Sequence, residues 1–244
     1  MTRGLVAEFI NWTWVRENFA NTPPGTPSIV SATIQHIELA LIAVAVGTAI
    51  SLPLGIWAYR RHAVYVPVTV VSGLLYTVPS LALFVLLIPI TGLSVWTVEI
   101  GLVSYTLLIL IRNVVAGLVS VPADVRDAAR GMGMTKRQLL WRVEMPLALP
   151  VIVAGVRVAT VSSIALVTVG AVIGFGGLGY FILDGLNRYF FKTEILVGIV
   201  LSVILALLAD AVVVWMQRLL MPWSRRDRRT RRAVRTADVA TESA

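Results

Sequence analysis

His36 and His62 are the only imidazoles in a chain of 244 residues, and there is no cysteine. Catalysis requires a nucleophile, an acid/base pair or a metal-ligand set at fixed spacing. The histidines form no H-E-x-x-H, and Ser162-Ser163 lack the glycines of a nucleophile elbow. No pair of aspartates sits within an apolar run, and the missing thiols exclude disulfides, thiolate metal sites and cysteine nucleophiles. Gly174-Phe-Gly-Gly-Leu-Gly179 has the glycine density of a phosphate cradle, but it follows an apolar run rather than a strand, and no Walker lysine motif exists anywhere. These glycines are therefore read as a tight turn. The residue types predict no catalytic residue, no metal site and no bound nucleotide.

Residues 121–146 offer a different chemistry, that of a docking surface. Pro122 suits the start of a helix, and Gly131 and Gly133 end it. Thr135 with Gln138 forms a T-x-x-Q capping box that opens a second helix. Asp127, Ala128 and Ala129 leave a small-residue face that another protein can approach closely, while Leu139, Leu140 and Val143 anchor the second helix. The expected product is a rigid helical elbow.

The elements that position this elbow follow from composition. Hydrophobic residues make up 57% of the chain and charged residues 14%, against roughly 25% charged in a soluble domain. Uncharged stretches at 39–59, 63–98 and 158–183 exceed the ~20 residues that cross a hydrocarbon core as a helix, and they lack the alternation of a membrane barrel. The predicted fold is all-α and polytopic, with five membrane helices near 37–58, 64–91, 98–119, 147–173 and 195–217. Lys and Arg number fifteen in the segments on one side and four on the other when the N-terminus is placed outside. The positive-inside rule then puts the N-terminus outside and both the C-terminus and 121–146 in the cytoplasm. Residues 1–28 read as an N-terminal interfacial segment bearing Trp12, Trp14 and Phe19, 29–220 as the transmembrane domain, and 221–244 as a basic cytoplasmic tail. Much of the net charge of +8 sits in that tail, which suits anionic lipid rather than nucleic acid.

Polar residues inside the spans complete the candidates. Tyr76, Thr77, Pro79 and Ser80 in the second span and Tyr105 in the third are candidate pathway residues, because Pro79 breaks its helix and frees carbonyls. For Ser104, Thr106, Thr160, Ser162, Ser163 and Thr168 the competing expectation is a bond to the carbonyl one turn back. Arg112, Arg157 and Asp210 all fall on the order of 12 Å from the cytoplasmic ends of their spans. Isolated charges there are costly, so they are expected to cluster, with snorkelling as the alternative for the arginines.

Asp127-Ala128-Ala129, three residues, Gly133, nine residues, then Val143-Glu144-Met145-Pro146 resembles the E-A-A-x3-G-x9-I-x-L-P loop of permease subunits of bacterial ABC importers. Asp replaces Glu, Val replaces Ile and Met replaces Leu, with the spacing intact. Further stretches, Thr77-Val-Pro-Ser-Leu-Ala-Leu83, Ile111-Arg-Asn113, Ala128 to Met134, Gly176-Gly-Leu-Gly179 and Gly185-Leu-Asn-Arg188, are similar to the branch that imports glycine betaine, carnitine and choline. The resemblance implies a bacterial inner-membrane permease whose loop couples to two ATP-binding subunits, which hold the ATP. It also implies a second permease subunit, identical or related, and a separate substrate-binding protein outside. Gly176, Gly177, Gly179, Asp184, Asn187 and Arg188 then belong to an outer gate or a binding-protein contact. Methionine, phosphonate or sulfonate importers are the alternative within the family, and a passive channel is the alternative outside it.

Overall fold

The computed structural model describes residues 10–20, 22 and 25–221, which are mostly helical with no strand among them. Arg3, Glu8, Phe9 and the tail arginines from Arg225 to Arg235 lie outside the described residues. In chain order the helices are α1 Trp12–Glu17, α2 Ile29–Arg60, α3 His62–Thr77, α4 Ser80–Thr91, α5 Val95–Val119, α6 Ala123–Gly131, α7 Lys136–Leu139, α8 Met145–Val167, α9 Gly179–Asn187 and α10 Lys192–Leu220. A π turn, Leu140–Glu144, fuses α7 to α8, and a 3-10 turn, Thr168–Ile173, extends α8.

Four helical stretches are long and apolar enough to cross a membrane: α2, α5, the continuous rod 136–173 and α10. The predicted second span is two helices, α3 and α4, bent by 101°. Pro79 stands at the break, where its ring removes an amide donor and disfavours helix at Val78. Packing decides how often this bent pair crosses. Gly47 and Gly55 of α2 abut Thr106 and Val114 of α5, so the second contact lies eight residues further along both helices and the two run parallel. The chain between two parallel spans must return across the membrane once, so α3 and α4 together make a single crossing. Gly117 abuts Ala148 while Gly155 abuts Asn113, so α8 runs antiparallel to α5. Five crossings follow. Such glycine contacts bring backbones close enough for dispersion to hold helices together where lipid supplies no hydrophobic drive.

Helix α5 is the hub, packing on α2, α3, α4 and α8. Leu39, Phe84, Val98, Leu102, Ile164 and Val167 fill the centre, and Val114, Leu118, Leu140 and Ile152 fill the end near the elbow. At the opposite end Ile29, Leu178 and Phe181 pack beneath Trp14, whose ring meets Phe181 and Phe191 edge-on with centroids 6.0 and 5.8 Å away. Outside, α10 exposes Leu207, Leu208 and Trp215, an apolar surface suited to lipid or to a second subunit.

Candidate functional site

Helix α6 ends where Gly133 takes φ +80°, a left-handed conformation that glycine adopts at little cost. The Gly133 amide donates to the Arg130 carbonyl at 2.9 Å and the Met134 amide to Ala129 at 3.3 Å, the paired bonds of a Schellman motif. Two residues later the capping box forms as its spacing predicts: the Thr135 amide donates to Gln138 Oε1 at 2.9 Å and the Gln138 amide to Thr135 Oγ1 at 3.3 Å. Leu139 and Leu140 are buried and Val143 is half-buried, as anchors should be.

The small-residue face differs from expectation. Ala129 is 2% exposed and packs inward, whereas Asp127 and Ala128 are exposed and Asp127 pairs with Arg130 at 3.1 Å. Successive helical residues are 100° apart, so three consecutive side chains cannot share one face. The outward surface is built instead from Asp127, Ala128, Gly131 and Met132, the last 71% exposed.

The elbow is also strapped to α2 by contacts that sequence inspection missed. Tyr59 Oη donates to Glu144 Oε1 at 3.1 Å, and Arg126 Nη1 donates to Tyr59 Oη at 2.9 Å. Arg60 Nη2 reaches the Lys136 carbonyl at 3.2 Å. Glu144, only 5% exposed, lies inside the π turn, where the Met145 amide bonds back to Leu140. That wider turn relieves the clash that the Pro146 ring otherwise makes with the carbonyl four residues earlier. Met145 packs against the apolar cluster at the elbow end, and Pro146 is half-buried in the first turn of α8.

Between α3, α5 and α8, Tyr76, Tyr105, Thr106, Ile109, Ser162 and Ser163 line an open cavity of about 360 Å³. The Tyr105 hydroxyl donates to the Val78 carbonyl beside the Pro79 break, and its ring meets Tyr76 edge-on at 5.7 Å. Thr77 bonds the Leu74 carbonyl, and Thr77 and Pro79 face outward. Of the candidate pathway residues, the two tyrosines therefore reach the cavity, while Thr77, Pro79 and Ser80 form the break beside it. Ser104, Thr106, Thr160 and Thr168 bond carbonyls three or four residues back. Ser163 does not: it is fully buried and its hydroxyl has no partner.

At the far end the glycine turn is latched to α2. The Gly177 amide donates to Gln35 Oε1 at 3.0 Å, and the Leu178 amide to His36 Nδ1 at 3.2 Å. His36 Nε2 lies 2.9 Å from the Ile164 carbonyl. Because Nδ1 accepts, Nε2 carries the proton in this tautomer. His36 is thus a buried clamp rather than the rim residue its position beside Glu38 suggests. Gly177 has φ +50°, and a Cβ there would fall 2.6 Å from His36 Cβ, so only glycine fits the latch. Gly176 and Gly179 press on the backbone of Ala171 and Thr168, Asp184 pairs with Arg188 at 2.8 Å, and Asn187 is exposed.

The expected three-residue charge cluster is a pair. Arg157 Nε and Nη2 donate to Asp210 Oδ1 and Oδ2, each at 2.8 Å, a bidentate link between α8 and α10. Arg112 stays apart, exposed and without an ion pair among the described residues. Its neighbour Asn113 is the residue that packs on Gly155 of α8, which turns Arg112 away.

A family model described as the inner membrane component of binding-protein-dependent transport systems matches residues 47–226. The chain is 37% identical over 199 residues to the osmoprotectant import permease protein OsmW of Salmonella typhimurium, covering 80% of this chain and 92% of that one. It is 36% identical over 188 residues to the glycine betaine/carnitine/choline transport system permease protein OpuCD of Bacillus subtilis, covering 77% and 82%. Its fold is similar to a chain of the MetNI methionine ABC transporter in an inward-facing conformation, with a TM-score of 0.70, 23% identity, and coverage of 79% and 95%.

Proposed function

Because the chain belongs to the family of binding-protein-dependent transport system inner membrane components, it is a membrane-spanning permease subunit of an ATP-driven importer, and we propose that its cargo is a quaternary-amine osmoprotectant such as glycine betaine, choline or carnitine. The carrying observation is the 37% identity across 80% of the chain to a relative named for osmoprotectant import. The methionine transporter, at 23% identity, shares the fold alone. Two ATP-binding subunits, a second permease subunit and a substrate-binding protein complete such an importer, with the ATP held by the partner subunits.

Within that assembly the segment 121–146 is the contact with the ATP-binding subunit. Its exposed Asp127, Ala128 and Met132 present the docking surface, and its buried Ala129, Leu139 and Leu140 fix it to the bundle. Two rods leave this elbow. Along α8 the distance from Met145 to Ser162 on the cavity is about 26 Å, and along α2 from Tyr59 to His36 on the glycine turn about 35 Å, at ~1.5 Å per residue. A push on the elbow therefore moves the cavity wall and the latch together, because Tyr59, Glu144 and Arg126 join both rods at their base.

Uptake of labelled choline by the importer assembled with its co-purifying subunits is expected to fall when glycine betaine or carnitine is added, and to be indifferent to methionine. Competition by methionine alone replaces the cargo reading. The orientation has its own test, helped by a chain without cysteine. Cysteine at Asn187 should label from outside the cell with an impermeant maleimide, and cysteine at Met132 only after permeabilisation. The opposite pattern inverts the topology.

A further inference from the structure

We propose that the cavity between Tyr76, Tyr105, Ser162 and Ser163 is a recognition site for the quaternary ammonium group of the cargo, held within the membrane by the faces of the two tyrosines; this rests on the cargo reading above. Three observations converge on it. First, the cavity lies near the middle of its spans. Tyr105 is ten residues from the start of α5 and fourteen from its end, or about 15 and 21 Å at ~1.5 Å per residue, which is the depth at which transport sites form beside broken helices.

Second, the ring geometry is fixed in advance. The Tyr105 hydroxyl is committed to the Val78 carbonyl at the break, and Tyr76 stands against Tyr105 with ring planes 70° apart. Two steeply inclined rings form a corner, and the negative faces of tyrosines attract a trimethylammonium group without a formal countercharge. No carboxylate lines the cavity. Binding there is consequently weak enough to release cargo, as a pathway site requires.

Third, the accessible part of the lining has the right mix of groups. Tyr76 is 46% exposed on the surface of the single chain, whereas Tyr105 is 5% exposed and Ser163 fully buried, so a molecule arrives on the Tyr76 side. Ser162, half-buried on the same lining, is the hydroxyl placed to bond the other end of the cargo, the hydroxyl of choline or the carboxylate of betaine and carnitine.

The test uses the full-length chain in lipid nanodiscs, with choline and its neutral carbon isostere 3,3-dimethylbutan-1-ol followed by ligand-observed NMR. A site that reads charge prefers choline over the isostere by about 3- to 30-fold. Tyr76→Leu, at an exposed position, should abolish that preference, and Tyr76→Phe should keep it because the ring face remains. Equal binding of choline and the isostere to the unaltered chain overturns the proposal, since it shows an apolar hole. Preference surviving in Tyr76→Leu overturns it too. The uptake assay separates the two levels. An importer that carries no quaternary amine sinks the cargo reading on which the site rests, whereas one that carries choline while the cavity shows no preference sinks the site alone.

Discussion

Gly133→Asp is expected to leave the chain inserted in the membrane while cutting ATP-driven uptake on the order of 30-fold, the effect of losing about 2 kcal/mol at an interface hot spot. The expectation has two physical parts. At φ +80° any side chain adds backbone strain, roughly 1–2 kcal/mol in a left-handed conformation, although Asp tolerates that region better than most residues. Nothing lies within 4 Å of a Cβ built at Gly133, so the new carboxylate does not disturb its own chain and projects toward whatever docks on the elbow. Gly133→Ala shares the strain and lacks the charge. Comparing the two variants therefore separates a bent elbow from a blocked contact. Uptake should fall much further in Gly133→Asp, with ATP hydrolysis by the partner subunits no longer matched to transport. Normal uptake in Gly133→Asp would remove 121–146 from the coupling role.

What the sequence discloses here is mostly local. The capping box at Thr135, the Gly133 stop and the Pro79 break are each governed by atoms within five residues, so spacing alone exposes them. The five spans are legible for the same reason, since length and hydropathy are properties of contiguous runs. The straps are not. Tyr59 and Glu144 are 85 residues apart, and Gln35 and Gly177 are 142 apart. No pattern in either partner marks the pairing before α2 is laid beside α8. His36 illustrates the cost of reasoning one helix at a time: placed beside Glu38 it reads as a rim residue, whereas the fold rotates it inward to satisfy a carbonyl of α8 and an amide of the glycine turn. The inward turn of Ala129 has the same origin. A three-letter motif on a helix spans 200° of arc, so matching it in sequence does not reveal which letter faces the partner.

Depth along a span is legible from residue counts, and it brings Arg157 and Asp210 to one level. Azimuth is not, so residue counts alone group Arg112 with them although its side chain points elsewhere. The pair that does form is the second place where a large effect is expected. Both side chains are about one-third exposed, at 38% and 32%, on helices whose surroundings are apolar. Removing one partner leaves a charge that the insertion scale places at about 2.5–3.5 kcal/mol near the bilayer centre, reduced here by whatever water or headgroup an arginine reaches by snorkelling. Asp210 has too short a side chain to use that escape. Arg157→Gln should therefore be the more damaging single change, because it strands the carboxylate, and Asp210→Asn the milder one. In thermal unfolding of the chain in nanodiscs, the double variant should lose less than the sum of the two singles, with a coupling of about 1–3 kcal/mol, the range for residues in direct contact. Additive losses would mean that each group is solvated independently and that the bidentate geometry contributes nothing to holding α10 against α8. A coupling that disappears at high salt would place the pair in contact with water, since buried pairs are screened far less than exposed ones. A coupling that persists would place it against protein or lipid, leaving α10 fastened to the rod that carries Ser162 and Ser163.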